Sequence, residues 1–295
     1  MRAITFDASI LNVIQNCFRK AQYSFIYNLQ PHEREESLEK GDLMHKMLEG
    51  YYGMIGPQKY DTPFWEELKE KAGIYPLGDA ANRAVEIGMY FSTKLDIPVS
   101  VAEEVITQFK AYAEFYKFDA WHPLAVEKVG TKMLYADSDL EIWYNYKVDM
   151  VAEKGEIVAP FDHKTGKQRK DPLSLSNQFI GYCYALNCNH IVMNKIGFQK
   201  TLSPAERFQR FIFSIDQERI EEWKKNTIWW IKRYADCIEE DNYPMNLTSC
   251  DKYSGCIFRR ICESDPGNRE YKLARDFTTV EKWDVAKSLL QRSGG

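Results

Sequence analysis

Several features are scarce in this 295-residue chain, and each scarcity excludes something. No apolar run approaches the roughly 18 residues of a membrane-spanning helix, so no transmembrane segment and no membrane partner are predicted. No charged-then-apolar leader is present, which sets the expectation of a cytoplasmic protein. The segment G-x-x-x-x-G-K-[ST] is missing, and Gly166-Lys167 lacks the rest of such a loop, so a self-contained nucleotide-driven motor is not supported. Excess positive charge is missing too: 39 Lys and Arg against 43 Asp and Glu leave a formal charge of −4. Any attraction to nucleic acid must therefore come from local basic patches. In a cytosolic setting the seven cysteines are expected to be thiols or metal ligands rather than disulfides.

What is present is an ordinary globular composition, 44% hydrophobic and 28% charged, long enough for one elaborated domain or two small ones. The most informative stretch is Tyr144 to Lys170. Two apolar runs, Val148 to Ala152 and Ile157 to Phe161, flank Glu153-Lys154-Gly155-Glu156, which reads as a tight hairpin. With Lys154 and Gly155 as the turn, Glu153 pairs with Glu156 and Asp149 stands opposite Pro160. Side chains alternate along strands, so Asp149 shares a face with Val158, Pro160, Asp162 and Lys164. Asp162 becomes the diagonal neighbour of Asp149, about 7–8 Å away, close enough for the two carboxylates to share a cation.

That set of side chains suits one chemistry. Hydrolysing a phosphodiester calls for a hard cation that neutralises phosphate charge and acidifies water, and carboxylate oxygens are the ligands Mg²⁺ or Mn²⁺ prefer. Lys164 would point the same way and could hold or deprotonate the attacking water. A solvated hairpin face carrying ordinary charges fits the spacing as well.

Upstream, Ile10 to Leu29 reads as one helix with an apolar stripe that includes Cys17. A second helix, opening near Ser37 or Lys40, carries Gly41 and His45 one turn apart; the missing side chain at 41 lets another backbone or a phosphate come close. From Thr62 to Asp119 the pattern is helical throughout, with Ser100 and Glu103 as a capping box before Val101 to Tyr116. Its aromatics read mostly as core, a stacking surface for single-stranded bases being the sharper alternative. Strands follow at Leu124 to Val129 and Thr131 to Ala136. Glu127 inside the first would cost several kcal/mol to bury unpaired and so wants an arginine, a lysine or a metal. Lys167, Arg169 and Lys170 follow the hairpin, as solvated loop charges or as phosphate contacts. A helix from Ser174 to Leu186, strands at His190 to Phe198 and Phe208 to Ile215, and a helix from Asp216 to about Glu240 complete a mixed sheet covered by helices.

These residues resemble a known family. Val148-Asp149, then Asp162-His163-Lys164-Thr165-Gly166, looks like the PD-(D/E)XK nuclease superfamily, specifically its RecB-like branch, where the second half often reads D-Y-K-T-G. Gly41 to His45 resembles the branch's G-x-x-x-H helix, Glu127 its acidic residue on the first core strand, and Gln178 with Tyr182 its Q-x-x-x-Y helix. One departure is that Val148-Asp149 replaces the leading P-D dipeptide. The resemblance implies an α/β restriction-endonuclease-like fold with a mixed β-sheet core flanked by helices. It implies a metal-dependent deoxyribonuclease, an exonuclease of recombination, repair or phage DNA processing. Mg²⁺ or Mn²⁺ would be held by His45, Asp149, Asp162 and the backbone carbonyl of His163, with Glu127 supporting the site or a second ion. Lys164 would handle the water, Gln178 and Tyr182 would position the strand, and single-stranded DNA or a duplex end would be the partner, alongside possible repair or recombination proteins. A nucleic-acid-binding or assembly subunit with an idle nuclease core is the alternative.

Cys250, Cys256 and Cys262 have five residues between each pair, too wide for the usual zinc knuckle. Several RecB-like nucleases carry a [4Fe-4S] cluster on one N-terminal and three C-terminal cysteines. By that resemblance Cys17 is the first ligand and Cys250, Cys256 and Cys262 are the others, although Cys250 departs from the usual two-residue spacing. Such a cluster would clip the two chain ends together; zinc or free thiols remain open. Cys183, Cys188 and Cys237 read as core. The expected organisation is a single nuclease domain, 1–295, comprising N-terminal helices (1–53), a helical insertion (54–122), the nuclease core (123–240) and a cysteine segment (241–295).

Overall fold

The computed structural model describes residues 2–32, 36–56, 63–166, 175–251 and 255–281. In chain order, β1 (Arg2–Phe6), α1 (Ala8–Asn16), α2 (Phe18–Ala21), β2 (Leu29–Pro31) and α3 (Glu36–Ile55) come first. The insertion supplies α4 (Pro63–Glu67), α5 (Ala80–Lys94) and α6 (Val99–Phe115). Then come β3 (His122–Ala136), β4 (Leu140–Lys154), β5 (Ile157–Thr165), α7 (Asn177–Leu186), β6 (His190–Ile196), α8 (Pro204–Arg207) and β7 (Phe208–Ser214). The chain closes with α9 (Gln217–Glu239), α10 (Arg259–Cys262), α11 (Arg269–Asp276) and β8 (Phe277–Thr279).

These elements form two compact units: Met1–Arg34 with Thr131–Asn145 and Glu218–Asp284, and Glu35–Gly130 with Tyr146–Gln217 and Val285–Gly295. In the second unit the sheet is mixed. β4 pairs antiparallel with β5, β5 parallel with β6, and β6 antiparallel with β7. A parallel β5–β6 pair needs a crossover, and α7 provides it. The unit is α/β, with a mixed sheet flanked by helices.

Its core explains why α3 lies where it does. Leu43, Met44, Met47, Leu48, Tyr51 and Tyr52 recur at three- and four-residue steps and are all buried, a stripe that must find an apolar partner. It finds one in Met150, Ala152, Ala159 and Phe161 of the hairpin and in Ile87, Phe91, Val105 and Phe109 of the insertion. Each fully buried large side chain contributes about 1.5–3 kcal/mol. Most insertion aromatics are therefore core, as Trp65 and Tyr112 show, while Phe115 is partly exposed.

Four local expectations are corrected. The hairpin turn is Gly155-Glu156, with Lys154 opposite Ile157, because Gly155 takes φ +60 at the first turn position, where a two-residue turn of the II′ kind needs glycine. The register runs from Lys154 opposite Ile157 to Met150 opposite Phe161, so Val151 and not Asp149 stands opposite Pro160. The pairing slips by two residues in total, so the faces are kept. The two short strands are one, β3, continuous through Gly130, with Glu127 at φ +50 inside it. The long capped helix begins at Val99 after Pro98, with no side-chain cap bond, so Ser100 lies inside the first turn.

The fourth correction is in the first unit, where the helix expected over Ile10 to Leu29 breaks at Cys17, whose backbone is extended (φ −167, ψ 120). The break lets the N-terminal and C-terminal segments of this unit meet. Asn246 donates its backbone N–H to Cys17 Sγ at 3.4 Å and its side-chain amide to Asn16 O at 2.9 Å. Ser249 donates to the same carbonyl at 3.0 Å. Here β1 runs parallel to Leu140–Tyr144 of β4, where buried Phe6 meets Tyr144 and Tyr144 meets Trp223 of α9; β2 runs antiparallel to β8, and a separate small cluster gathers Tyr23, Phe258, Ile261, Leu273 and Phe277.

Candidate metal centre

Four elements of the second unit converge on one group of donors. His45 comes from α3, and Gly41 one turn before it allows the approach. A Cβ at 41 would stand 3.0 Å from Thr165 Oγ1 of β5, so the absent side chain admits a strand. Glu127 comes from β3. Its positive φ is uncommon for a residue with a side chain and marks strain that tertiary contacts must hold. Asp149 comes from β4, and Asp162, His163 and Lys164 from β5.

Ligand atoms of His45, Glu127 and Asp149 all lie within 4.8 Å of one another. His45 Nδ1 is 3.5 Å from Asp149 Oδ1, and its Nε2 is 3.0 Å from the backbone carbonyl of His163. His163 N–H in turn donates to Asp149 Oδ2 at 2.6 Å. One imidazole nitrogen, two carboxylates and a carbonyl make an oxygen-rich set that suits Mg²⁺ or Mn²⁺. Among the described residues, Asp162 is not in this group. Its carboxylate, 2% exposed, is taken by Lys164, whose ammonium is 3.1 Å from Oδ1 and 2.9 Å from Oδ2. Glu127, which the sequence left wanting a cation, is ion-paired with Lys147 and also belongs to the donor group.

The electrostatics follow from burying several acids together. Burial raises the Asp162 carboxyl, Lys164 opposes it, nearby Asp149 adds to it, and the group is pushed up to about 6. Burial, then the neighbouring Glu49 carboxylate, raises Glu127 as well. Burial works against the charged His45 ring, but Asp149, Glu127 and Asp162 prevail and lift it to about 8. Burial opposes ionisation of Asp149 too, yet its contacts with His45 and with the His163 N–H hold it well below the usual range. The mutual repulsion that raises Asp162 and Glu127 is relieved by a cation among them, and His45 would give up its proton to offer a metal its lone pair.

α7 braces the point where β4 and β5 part. Gln178 accepts from the Lys164 ammonium at 2.9 Å and donates to Tyr182 Oη at 2.9 Å, and Tyr182 donates to the Lys147 carbonyl at 2.5 Å. Both residues were expected to touch nucleic acid; the structure places their polar atoms on Lys164 and on β4, and Tyr182 is buried. Lys167, Arg169 and Lys170 lie outside the described residues.

In the first unit Cys17, Cys250, Cys256 and Cys262 line one cavity of about 140 Å³, together with Asn16, Lys20, Asn246 and Arg259 among others. Burial, then the neighbouring Cys256 and Cys17, pushes the Cys262 thiol up. Cys183 and Cys237 are buried, as expected of core residues, whereas Cys188 is only partly so.

Sequence reasoning missed Glu49, Lys147, Asn194 and Arg210. Glu49 lies one helical turn beyond His45, and Lys147 is two residues before Asp149 on the same strand face, so both had a periodic signal. Asn194 and Arg210 had none, since only the pairing of β6 and β7, which sets them opposite each other, brings them to the site.

Comparison with known proteins agrees with this geometry. The crystal structure of SSO0001 matches at 14% sequence identity, covering 76% of this chain and 96% of that one, with a TM-score of 0.31, too low to carry any argument. No curated protein matches. A family model for the PD-(D/E)XK nuclease superfamily matches residues 5–263, a span that takes in His45, Glu127, both aspartates, Lys164 and the brace on α7. The chain belongs to the PD-(D/E)XK nuclease superfamily.

Proposed function

We propose that the protein is a RecB-like, Mg²⁺- or Mn²⁺-dependent deoxyribonuclease acting on DNA ends in recombination, repair or phage DNA processing. The observation that carries this reading is the convergence of His45, Glu127 and Asp149 within 4.8 Å beside the His163 carbonyl, with the Lys164 amine on the adjoining strand. A divalent ion held there supplies charge neutralisation at the phosphate and acidifies water. The protein's own groups do the rest. Lys164, 48% exposed at its side chain and tethered to Asp162 and Gln178, presents its amine to solvent in a fixed direction, where it can hold an attacking water or a phosphate oxygen. Asp162 serves as the lysine's anchor in this arrangement and reaches the metal only by sharing its carboxylate. Gln178 and Tyr182 position the lysine and strand β4, and Lys167, Arg169 and Lys170 are assigned to phosphate contacts.

The four cysteines are assigned to a [4Fe-4S] cluster that joins the two ends of the first unit. Zinc would need thiolates at about 2.3 Å from one ion and hence about 3.8 Å apart. What supports a shared group is that all four cysteines line one cavity; zinc or free thiols are the alternatives.

End-labelled DNA incubated with Mn²⁺ tests the proposal. The expected result is cutting that a chelator stops and that Asp149→Ala or Lys164→Ala abolishes. Undiminished cutting by either variant removes the assignment, and DNA binding without cleavage transfers it to a non-catalytic nucleic-acid-binding or assembly subunit.

A further inference from the structure

Behind the donor group runs a buried polar network to which the proposed chemistry assigns no role. Arg210 of β7 pairs with Asp119 at 2.7 Å, both side chains being nearly buried. The same guanidinium donates to Tyr52 Oη at 3.0 Å, to Tyr112 Oη at 3.3 Å and, through Nε, to Asn194 Oδ1 at 3.3 Å. Asn194 is fully buried; its amide nitrogen is 2.8 Å from Tyr112 Oη and 2.9 Å from His163 Nδ1. The Tyr52 ring stacks on the His163 ring, 5.8 Å between centroids at 19°. Removing a guanidinium from water costs several kcal/mol even when it is paired, so a buried arginine here calls for a reason beyond packing.

The direction of the hydrogen bonds supplies one. A guanidinium only donates, so Arg210 fixes Asn194 with its oxygen toward the charge. The Asn194 amide is left to donate to His163 Nδ1, which therefore accepts and leaves the ring proton on Nε2. Held by Asn194 on its edge and by Tyr52 on its face, the His163 side chain fixes its own main chain. That main chain gives its N–H to Asp149 at 2.6 Å and sets its carbonyl 3.0 Å from His45 Nε2. Two donors of the metal centre are thus oriented by one residue whose ring cannot turn.

We infer that Arg210 and Asn194 are positioning residues of the metal centre: through the locked His163 ring they hold the main chain that orients Asp149 and His45. The inference rests on the metal-centre reading above. Outer partners of this kind are worth about 10–100-fold in metal affinity when removed.

The test is a calorimetric titration of the full chain with Mn²⁺ alone, accompanied by thermal unfolding, for the parent, Asn194→Ala, Arg210→Met and Gln108→Ala. Gln108 is an equally buried polar residue that bonds to the Gly197 carbonyl and accepts from Arg207 at 2.8 Å, outside the network. The expected result is a 10–100-fold rise in Kd for folded Asn194→Ala and Arg210→Met, with Gln108→Ala losing stability but keeping the parent's Kd. Unchanged Kd in the folded network variants overturns the inference, and so does an equal loss in Gln108→Ala. A measurement on the parent covers the case in which the variants do not fold: nitrogen NMR of selectively labelled histidine must show His163 protonated at Nε2, and a proton on Nδ1 overturns the inference. A parent that binds no Mn²⁺ fails in a distinguishable way, sinking the metal-centre reading itself and this one with it.

Discussion

At the scale of single residues, the site is a contest between burial and charge. Asp162 and Glu127 are among the most enclosed acids of the second unit, and each has a lysine against it: Lys164 for one, Lys147 for the other. The lysines differ in what else holds them. Lys164 has a second tether, Gln178, so its amine has a defined direction, and Lys164→Ala is expected to lower kcat by about 10²–10⁴-fold while Mn²⁺ affinity stays near the parent's. A calorimetric titration beside a cleavage assay separates the two effects. Asp149→Ala should do the reverse and lose Mn²⁺ binding outright. Gly155 offers a cleaner measurement of backbone cost. No heavy atom lies within 4 Å of where its Cβ would sit, yet its φ is +60, so Gly155→Ala should destabilise by about 1 kcal/mol through conformation alone. Urea unfolding reads that value, and an unchanged midpoint would contradict the turn geometry.

At the scale of elements, the site depends on how closely α3 approaches β5 and on how α7 bridges the parting strands. Gly41 governs the first. Alanine there gains helix propensity against a 3.0 Å contact with a hydroxyl that can rotate, so Gly41→Ala should be close to neutral. Gly41→Val cannot fit without moving the helix. It is expected to cost about 1–3 kcal/mol and to weaken Mn²⁺ binding, because His45 travels with α3. Tyr182 governs the second. Tyr182→Phe leaves the Lys147 carbonyl without its partner, which should cost about 1–3 kcal/mol in urea unfolding and lower kcat through the loosened Gln178–Lys164 contact. A residue that touched only nucleic acid would raise KM and leave stability alone. The helix broken at Cys17 shows the limit of periodic reading: an apolar stripe runs through the break, and nothing in the stripe reveals that the backbone leaves the helix there.

At the scale of the whole molecule, each compact unit carries its own chemistry, the hard-donor centre in one and the four-cysteine cavity in the other. Within the first unit, the cluster around Tyr23, Phe258 and Phe277 is small, and small cores gain from covalent or metal staples. On the proposed cluster, Cys262→Ala is expected to remove iron and the visible absorption of the anaerobically purified protein, and to make the segments around 2–32 and 255–281 the first sites of limited proteolysis. Protein that contains no iron and resists protease as the parent does would rule the cluster out. No described helix is long and apolar enough to cross a membrane.

Sequence alone named His45, Glu127 and Asp149, together with Asp162, which the structure leaves outside the donor group. Alternation along β4 and β5 puts Asp149, Asp162 and Lys164 on one side whichever two-residue turn is chosen, because a slip of two preserves the side, and helical spacing ties Gly41 to His45 and Gln178 to Tyr182. Tertiary structure decided which groups meet. The glycine conformation at 155 chose the register that sets Val151, not Asp149, opposite Pro160; the positive φ at Glu127 accompanies the entry of a β3 carboxylate into the donor group; and sheet pairing carried Asn194 and Arg210 behind His163. Periodicity records which way a side chain faces along its own element, whereas distances between elements depend on packing and on hydrogen bonds between residues far apart in the chain, and those leave no local pattern to read.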